Sequence, residues 1–382
     1  MEILFVSHKY PPAIGGMENQ SFELINGMKK LARVHTLLLG AGENRLQFFL
    51  SLNRRIRQLC KANPGITVIH FNDALVASVS LFHTGYAHLK RTATVHGLDV
   101  VYPNLLYRRF VFHGLKRLDL VIPVSQATAR ACTRLGIPPG NLLVINNGVD
   151  EQAPRSITRE QADRLLQNRF GIDTGGRRLL VAMGRPVKRK GFSWFIKNVL
   201  PQLDPAFMLL LIGPIPNQEH IGGRIFRRLP AFARKPFELM LALPSDERPL
   251  QQLLAKRPYR HRVFRTGKLS REVIGNLLSV ADAFVMPNIE VSGDMEGFGL
   301  VCLEASICGA RVLASASGGI PDAISDGENG LLLPPGDADS WIRALNNPSD
   351  TLPGAASRIA FTRRQFSWEK MTKEYLEAFS RI

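Results

Sequence analysis

Short apolar runs separated by longer amphipathic stretches recur along the chain, and this alternation restricts the fold more than any other feature. In the first half the runs are Glu2–Ser7 (EILFVS), Val34–Gly40, Ile66–Phe71, Arg91–Gly97 and Leu118–Ser125. Helix-like segments such as Met17–Ala32 and Ser125–Gly136 fall between them. Antiparallel strands can be joined by two residues, whereas parallel strands need a crossover of about a dozen, usually a helix. The pattern therefore predicts a parallel sheet covered on both faces, an α/β architecture.

A polar stretch, EQAPRSITREQADRLLQNRFGIDTGGRR, interrupts the series, and a second one begins at Leu179–Gly184. It continues through Phe207–Gly213, His261–Gly267, Ala281–Pro287 and Ala310–Ala316. The boundary is expected near residues 165–176, giving domains over 1–170 and 171–366. The last segment, Ser367–Ile382, reads as an amphipathic helix with Trp368, Met371, Tyr375, Leu376 and Phe379 on its apolar side, packing back on the first domain.

The segment GDMEGFGLVCLEAS places Glu296 and Glu304 eight positions apart around Gly297 and Gly299. On one helix they would lie about 80° apart, and the glycines argue against a helix through the whole stretch. Glu296 is expected in a loop, with a helix opening near Phe298 or Gly299, packed by Leu300 and its apolar neighbours and closed by Gly309. Glu304 would then stand about 9 Å further along the helix axis. A carboxylate in an apolar helix needs partners: a vicinal diol would supply two donors, and a neighbouring arginine is the plainer alternative.

Two turns suit an anion. Gly15-Gly16 follows the first strand and precedes a helix, whose amino end offers backbone N–H groups and a positive dipole. Taken alone, it could equally be a tight turn. MGRPVKRKGFSWF carries Arg185, Lys188, Arg189 and Lys190 at the carboxyl end of a strand, where ligands of open α/β sheets bind and where arginine can grip phosphate bidentately. The plainer reading there is a solvated basic loop. No G-x-G-x-x-G fingerprint follows the first strand, which weakens a nicotinamide or flavin assignment.

With 49 Lys+Arg against 32 Asp+Glu, the formal charge is +17 and the pI about 10.2. Such a surface attracts nucleic acid, anionic lipid or phosphorylated small molecules. The basic residues spread over both halves without a recognition motif, which disfavours nucleic acid. Cys60, Cys132, Cys302 and Cys308 show neither pairing nor metal spacing and read as free thiols of a reducing cytoplasm, with no metal site. No stretch approaches the ~20 apolar residues of a spanning helix, and the first residues read as a strand, not a signal peptide.

Together these motifs resemble retaining glycosyltransferases of family 4. The likeness rests on Glu296 and Glu304 within EGFGLVCLEASICGARVLASASGGIPDAI, on the early GG, and on VHGLD, VSQAT, VINNGVD, GRPVKRKG, LIG, ADAFVMP and DGENGLLLPPGD in the family's order. It covers nearly the whole chain. The resemblance implies the GT-B fold, two Rossmann-like doubly wound domains facing a central cleft, and a nucleotide-diphospho-sugar donor held by the second. It implies Glu304 on the ribose hydroxyls and Glu296 on a hydroxyl of the transferred sugar. Backbone amides of Gly297, Phe298, Gly299 and Leu300 would contact the sugar or its phosphate. Arg185 and Lys190 would hold the diphosphate and stabilise the leaving group. Gly15 and Gly16 would close over phosphates and acceptor, His96 would lie near the donor sugar, and Asp99 would assist the acceptor hydroxyl. No cofactor and no metal are implied, and SGD at Ser292–Asp294 is not a D-x-D pair. The donor looks closest to GDP-mannose, with UDP-sugars as alternatives.

Two segments depart from the family's usual pattern. The stretch 219–260 is long, and within residues 221–237 it mixes arginines with phenylalanines; residues 46–61 pair a Phe/Leu face with Arg54, Arg55, Arg57 and Lys61. Each could be an ordinary packed helix. With the net charge, they point instead to peripheral association with an anionic membrane, on the inner face of the cytoplasmic membrane, and to a lipid-linked or glycan acceptor in bacterial surface-polysaccharide or glycolipid assembly. The competing expectations are a nucleotide-sugar epimerase of the same fold and, less favoured, a basic nucleic-acid-binding protein.

Overall fold

The computed structural model describes residues 1–13, 15–150, 157–215, 246–347 and 352–382. These form two compact units: Met1–Gly148 with Glu296–Leu300 and Phe366–Ile382, and Val149–Met295 with Val301–Gln365. The basic segment 221–237 lies outside the described residues.

In the first unit, strands β1 (Glu2–Ser7), β2 (Arg33–Leu38), β3 (Ile66–Phe71), β4 (Lys90–Val95) and β5 (Leu120–Pro123) form a parallel sheet in the order β2-β1-β3-β4-β5. Ile3, Leu4, Phe5 and Val6 are all fully buried, as an unbroken apolar run must be when helices cover both faces. The helices are α1 (Gly16–Met28), α2 (Arg45–Ala62), α3 (Ala74–Val79), α4 (Leu98–Val101), α5 (Leu105–Leu115) and α6 (Gln126–Leu135). Side chains fix several starts: Asn44 accepts from Leu46 N at 2.9 Å, Asp73 from Val76 N at 2.9 Å and Ser125 from Thr128 N at 3.1 Å.

The last helix, Trp368–Ser380, belongs to this unit. Ser367 accepts from Lys370 N at 3.0 Å, so it caps the helix without a capping box. Met371, Tyr375, Ala378 and Phe379 pack with Leu24, Ile25 and Met28 of α1 and with Ile3 and Phe5 of β1. Burying a large apolar side chain of this kind stabilises by about 1.5–3 kcal/mol. A polar line runs through the same core. Tyr375 Oη lies 2.8 Å from Thr94 Oγ1, which lies 3.0 Å from His70 Nε2, while His70 Nδ1 lies 2.7 Å from Thr92 Oγ1.

In the second unit, β6 (Arg178–Met183), β7 (Phe207–Ile212), β8 (Val263–Gly267), β9 (Ala283–Met286), β10 (Val312–Ser315) and β11 (Leu331–Leu333) are parallel in the order β11-β10-β9-β6-β7-β8. The sequence reading did not place β11, only three residues long. The units divide at Gly148/Val149, earlier than the 165–176 read from composition. Within that polar stretch, Thr158 and Gln161 form a capping box for a helix over Arg159–Phe170. Its fully buried Ala162 and Leu166 join Leu179, Val181 and Met208 in the second core.

Both strand orders reverse direction once. The chain steps from β1 to β2 and returns to the other side of β1 as β3; likewise β9 returns beside β6. Open α/β sheets bind ligands beyond the carboxyl ends of the strands flanking such a reversal.

Candidate functional site

In the second unit the reversal is flanked by the ends of β6 and β9. Beyond β6, Gly184 turns the chain at φ 139°, and its N–H donates to Ile212 O at 2.9 Å. Lys188–Lys190 make one 3₁₀ turn, closed by Gly191 in the left-handed conformation. A Cβ on Gly191 would lie 2.0 Å from Pro287 O, and Ile289 N donates to Arg189 O at 2.9 Å. Glycine is needed there for both φ and close approach, and the two loops are thereby sewn together.

The four cations of this loop do not act alike. Lys190 is buried, its stem against Gly184. Arg189 Nη1 donates to both carboxylate oxygens of Asp294, each at 3.1 Å, so its charge is already answered within the protein. Arg185 and Lys188 are exposed. A cradle of four equal cations, as the sequence suggested, thus becomes one buried lysine, two exposed cations and one structural arginine.

Glu304 lies on the helix Leu300–Ile307, between buried Leu303 and Ala305. The helix begins one or two residues later than expected because Gly299 has φ 97°, outside helical geometry. Gly309 closes it at φ 82°, with Ala310 N donating to Ala305 O at 3.1 Å. Burial raises the Glu304 pKa, Arg271 and Lys190 draw it down, and Asp150 opposes them. Arg271 itself is bound to Asp150 at 2.7 Å. Among the described residues no arginine or lysine forms an ion pair with Glu304, so the plainer reading of that carboxylate is not realised. Half-buried, unpaired and near Lys190, it is set up to accept from a ligand's hydroxyl donors.

In the first unit the reversal is flanked by β1 and β3, and here sequence reasoning overlooked residues. His8, just past β1, places Nδ1 2.9 Å from Asp73 Oδ2, just past β3. Burial would raise Asp73, but His8 and the Val76 N–H outweigh it and hold the carboxyl below its ordinary range. Asn72 is 0% exposed, and among the described residues neither its side-chain oxygen nor its nitrogen has a hydrogen-bond partner. A buried orphan amide costs about 1–3 kcal/mol, which a polar ligand group can recover. The available signal was positional: His8, Asn72 and Asp73 immediately follow the two strands at the reversal.

His96 and Asp99 stand beyond β4. His96 N donates to both oxygens of Asp99 at 3.2 Å, and His96 Nε2 donates to Asn72 O at 2.9 Å. That bond makes Nε2 a donor, because a carbonyl oxygen can only accept. Burial raises the Asp99 pKa, against the pull of His96.

Residues Glu296–Leu300 cluster with this unit. A Cβ on Gly297 would lie 1.9 Å from His96 O, so only glycine fits there. Phe298 is buried, with Phe366 edge-on at 6.3 Å, and Gly16 lies against the Leu300 side chain. Glu296 and Gly15 are less enclosed. The Glu18 carboxylate folds back over Gly15 and pairs with Lys9 at 3.4 Å, so the amino end of α1 already faces its own anion.

Residues 167–348 match the family model described as glycosyl transferases group 1, and residues 18–153 match glycosyltransferase family 4. The D-inositol 3-phosphate glycosyltransferase of Mycolicibacterium smegmatis is 29% identical over 63% of this chain and 52% of its own length. The same organism's GDP-mannose-dependent alpha-(1-6)-phosphatidylinositol monomannoside mannosyltransferase is 29% identical, over 67% of this chain and 59% of its own. The chain spans about half the length of the first such relatives. Anabaena Alr3699/HepE, solved in complex with UDP, superposes with a TM-score of 0.74 at 19% identity, over 100% of both chains. At that identity the likeness shows the fold, which is GT-B. None of these likenesses supports the epimerase reading.

Proposed function

This chain belongs to the glycosyltransferases of group 1 and family 4, and from that premise we propose that it transfers a hexose from a nucleotide-diphospho-sugar to a hydroxylated acceptor with retention of configuration. The observation that carries the reading is Glu304, half-buried and without an ion pair among the described residues, near buried Lys190 beside the β6–β9 reversal. Glu304 accepts from the ribose hydroxyls, while Lys190 and exposed Arg185 hold the diphosphate. Glu296 accepts from a hydroxyl of the transferred sugar, and the amides of Gly297 to Leu300 meet the sugar or its phosphate.

In the transfer the bond from the anomeric carbon to the phosphate oxygen breaks and a bond to the acceptor oxygen forms on the same face. The acceptor proton passes to the departing phosphate. Lys190 and Arg185 stabilise the charge developing there, a contribution of several kcal/mol. His96 and Asp99 position the acceptor side, with Asn72 offering its unpartnered amide to a hydroxyl.

GDP-mannose is the first donor to test and UDP-glucose the second, since one relative is named for the former and HepE was solved with the latter. The acceptor is lipid-linked or a surface glycan, and α2 brings the protein to an anionic membrane as a peripheral enzyme. Leu46 and Leu50 on α2 are 68% and 78% exposed, consistent with that docking. Among the described residues no helix is long and apolar enough to cross a membrane.

A thermal-shift panel of nucleotide sugars tests the donor, because a ligand bound to the native state raises its Tm. One sugar nucleotide should shift the wild type and leave Glu304→Ala unmoved. Equal shifts in both proteins would overturn the assignment of Glu304. Incubation of the donor without acceptor should leave its sugar unchanged, whereas an isomerised sugar would replace transfer by epimerisation.

A further inference from the structure

The sheet of the first unit has a second feature at its opposite, amino edge. A groove of about 640 Å³ lies between the carboxyl half of α2, residues Pro64–Ile66 leading into β3, and the 85–89 segment leading into β4. Its charged lining is Arg54, Arg57 and Lys61, with His88 on the facing wall and no carboxylate. Ile66 and Asn72 are six strand steps apart, about 20 Å, so this groove is separate from the ligand-binding edge.

Arg54, Arg57 and Lys61 follow a three- and four-residue spacing, which puts them on one face of α2. The neighbouring Arg55 is answered by Glu43 at 2.6 Å and lies over the Phe48 ring. The three groove cations have no ion pair or hydrogen bond among the described residues. Like charges at this spacing repel, and α2's carboxyl end carries only about half a negative charge, too little to offset three cations. Asn53 Oδ1 accepts from Thr84 N at 3.3 Å and ties α2 to the facing wall. Gly85, at φ 90°, lets the Arg57 guanidinium pack against backbone: a Cβ there would lie 2.6 Å from Nε. The groove is therefore braced at two points, one of them through a cation that lines it.

We propose that this groove is a phosphate-binding site, distinct from the donor site and taking either the phosphate of an anionic lipid headgroup or a soluble phosphate. Arginine at two of the three positions suits bidentate contact with phosphate oxygens, and a bound dianion relieves the repulsion along α2. The inference does not depend on glycosyl transfer. Nor does it follow from docking by Leu46 and Leu50, which lie on the amino half of α2.

Cys60 lines the same groove and is half-buried, so its alkylation rate reports occupancy locally. The full chain is alkylated with a maleimide and Cys60 is followed by mass spectrometry, with inorganic phosphate in one arm and phosphatidylglycerol–phosphatidylcholine vesicles in the other. The comparison protein is R54Q/R57Q/K61Q, whose substituted side chains are exposed and whose Tm should match the wild type. At ten times Kd, a ligand slows labelling about tenfold. Protection by phosphate in the wild type and not in the triple variant assigns a soluble ligand. Protection by vesicles alone, again lost in the triple variant, assigns a headgroup. No protection in either arm, or equal protection of the triple variant, overturns the site. Equal vesicle protection would leave membrane docking standing without it.

Discussion

Arg189 Nη1 is held between both carboxylate oxygens of Asp294, 3.1 Å from each, with the side chains only 15% and 7% exposed. This pair fastens the loop after β6 to the segment leading to Glu296. Removing one partner of a largely buried pair strands the other charge and costs about 3–5 kcal/mol where burial is complete. Asp294→Asn should lower stability by about 2–4 kcal/mol on that scale, measured by urea unfolding. Arg189→Met with Asp294→Leu should recover at least half of the loss. Loss no greater than 0.5 kcal/mol, the ordinary effect of a surface change, would show the pair to be incidental.

Glu304 should make the empty protein less stable as pH rises. Its folded pKa is raised from 4.5 by burial, so the native state holds more protons than the unfolded chain between 4.5 and the folded value. Stability therefore falls as pH climbs through that window, and the penalty stays in full above it. Glu304→Gln removes the titration, and the variant should have a higher urea midpoint than the wild type near neutral pH without nucleotide. A saturating donor should reverse the order, since only the carboxylate offers two acceptor oxygens and a charge to a pair of hydroxyls. A variant less stable than wild type without ligand would mean that Glu304 has a structural partner.

The fold was legible because parallel sheets demand apolar runs, and Ile3–Val6 and Phe207–Ile212 are such runs, buried along their length. Glu304 stood out as a candidate because a carboxylate in the apolar helix Leu300–Ile307 has no packing reason to be there. The pairing of Arg189 with Asp294 was hidden, because it joins residues 105 positions apart and depends on the turn at Gly191. The His8–Asp73 couple was hidden for the same reason: it exists only because β1 and β3 are neighbours in the sheet. The domain boundary was misplaced because a helix can join a core through Ala162 and Leu166 while the rest of it stays polar.

His70 gives the first unit an acid-sensitive core. Burial, assisted by the charge of His96, lowers its pKa from 6.5 to about 3. Below pH 6.5 the unfolded chain takes up a proton that the folded one refuses, so stability is lost as pH falls from 6.5 towards about 3. The slope from this one group approaches about 1.4 kcal/mol per pH unit. His70→Gln keeps a polar side chain beside Thr92 and Thr94, and should flatten the pH dependence while lowering stability at neutral pH. An unchanged slope in urea titrations would move the acid sensitivity elsewhere.

The C-terminal helix is tied on by Tyr375, whose hydroxyl meets Thr94 Oγ1 at 2.8 Å and Gln20 Nε2 at 3.4 Å. Tyr375→Phe keeps the ring among Phe379 and His70 and leaves both partners short of a bond, at a cost of about 1–3 kcal/mol. Removing residues 367–382 instead strips Trp368, Met371, Tyr375, Ala378 and Phe379 from the core, and that chain should aggregate on expression. A soluble truncated chain with native circular dichroism would show that the helix adds little to the fold.

Gly297 separates catalytic geometry from stability. A Cβ there would lie 1.9 Å from His96 O and 3.0 Å from His96 C, and both are backbone atoms that no rotamer change can move aside. Gly297→Ala must therefore shift the 296–300 segment away from His96 by an ångström or more. Misplacement by about 1 Å costs on the order of a hundredfold in rate. Turnover should fall by about that factor, while donor binding through Glu304 persists in the thermal-shift assay. Gly336→Ala is the control: its φ is 77°, nothing lies within 4 Å of the added methyl, and the change strains only the local backbone. It should cost about 1–2 kcal/mol in stability and leave turnover intact. If the two variants lose activity only in proportion to their stability, close approach to His96 has no part in catalysis.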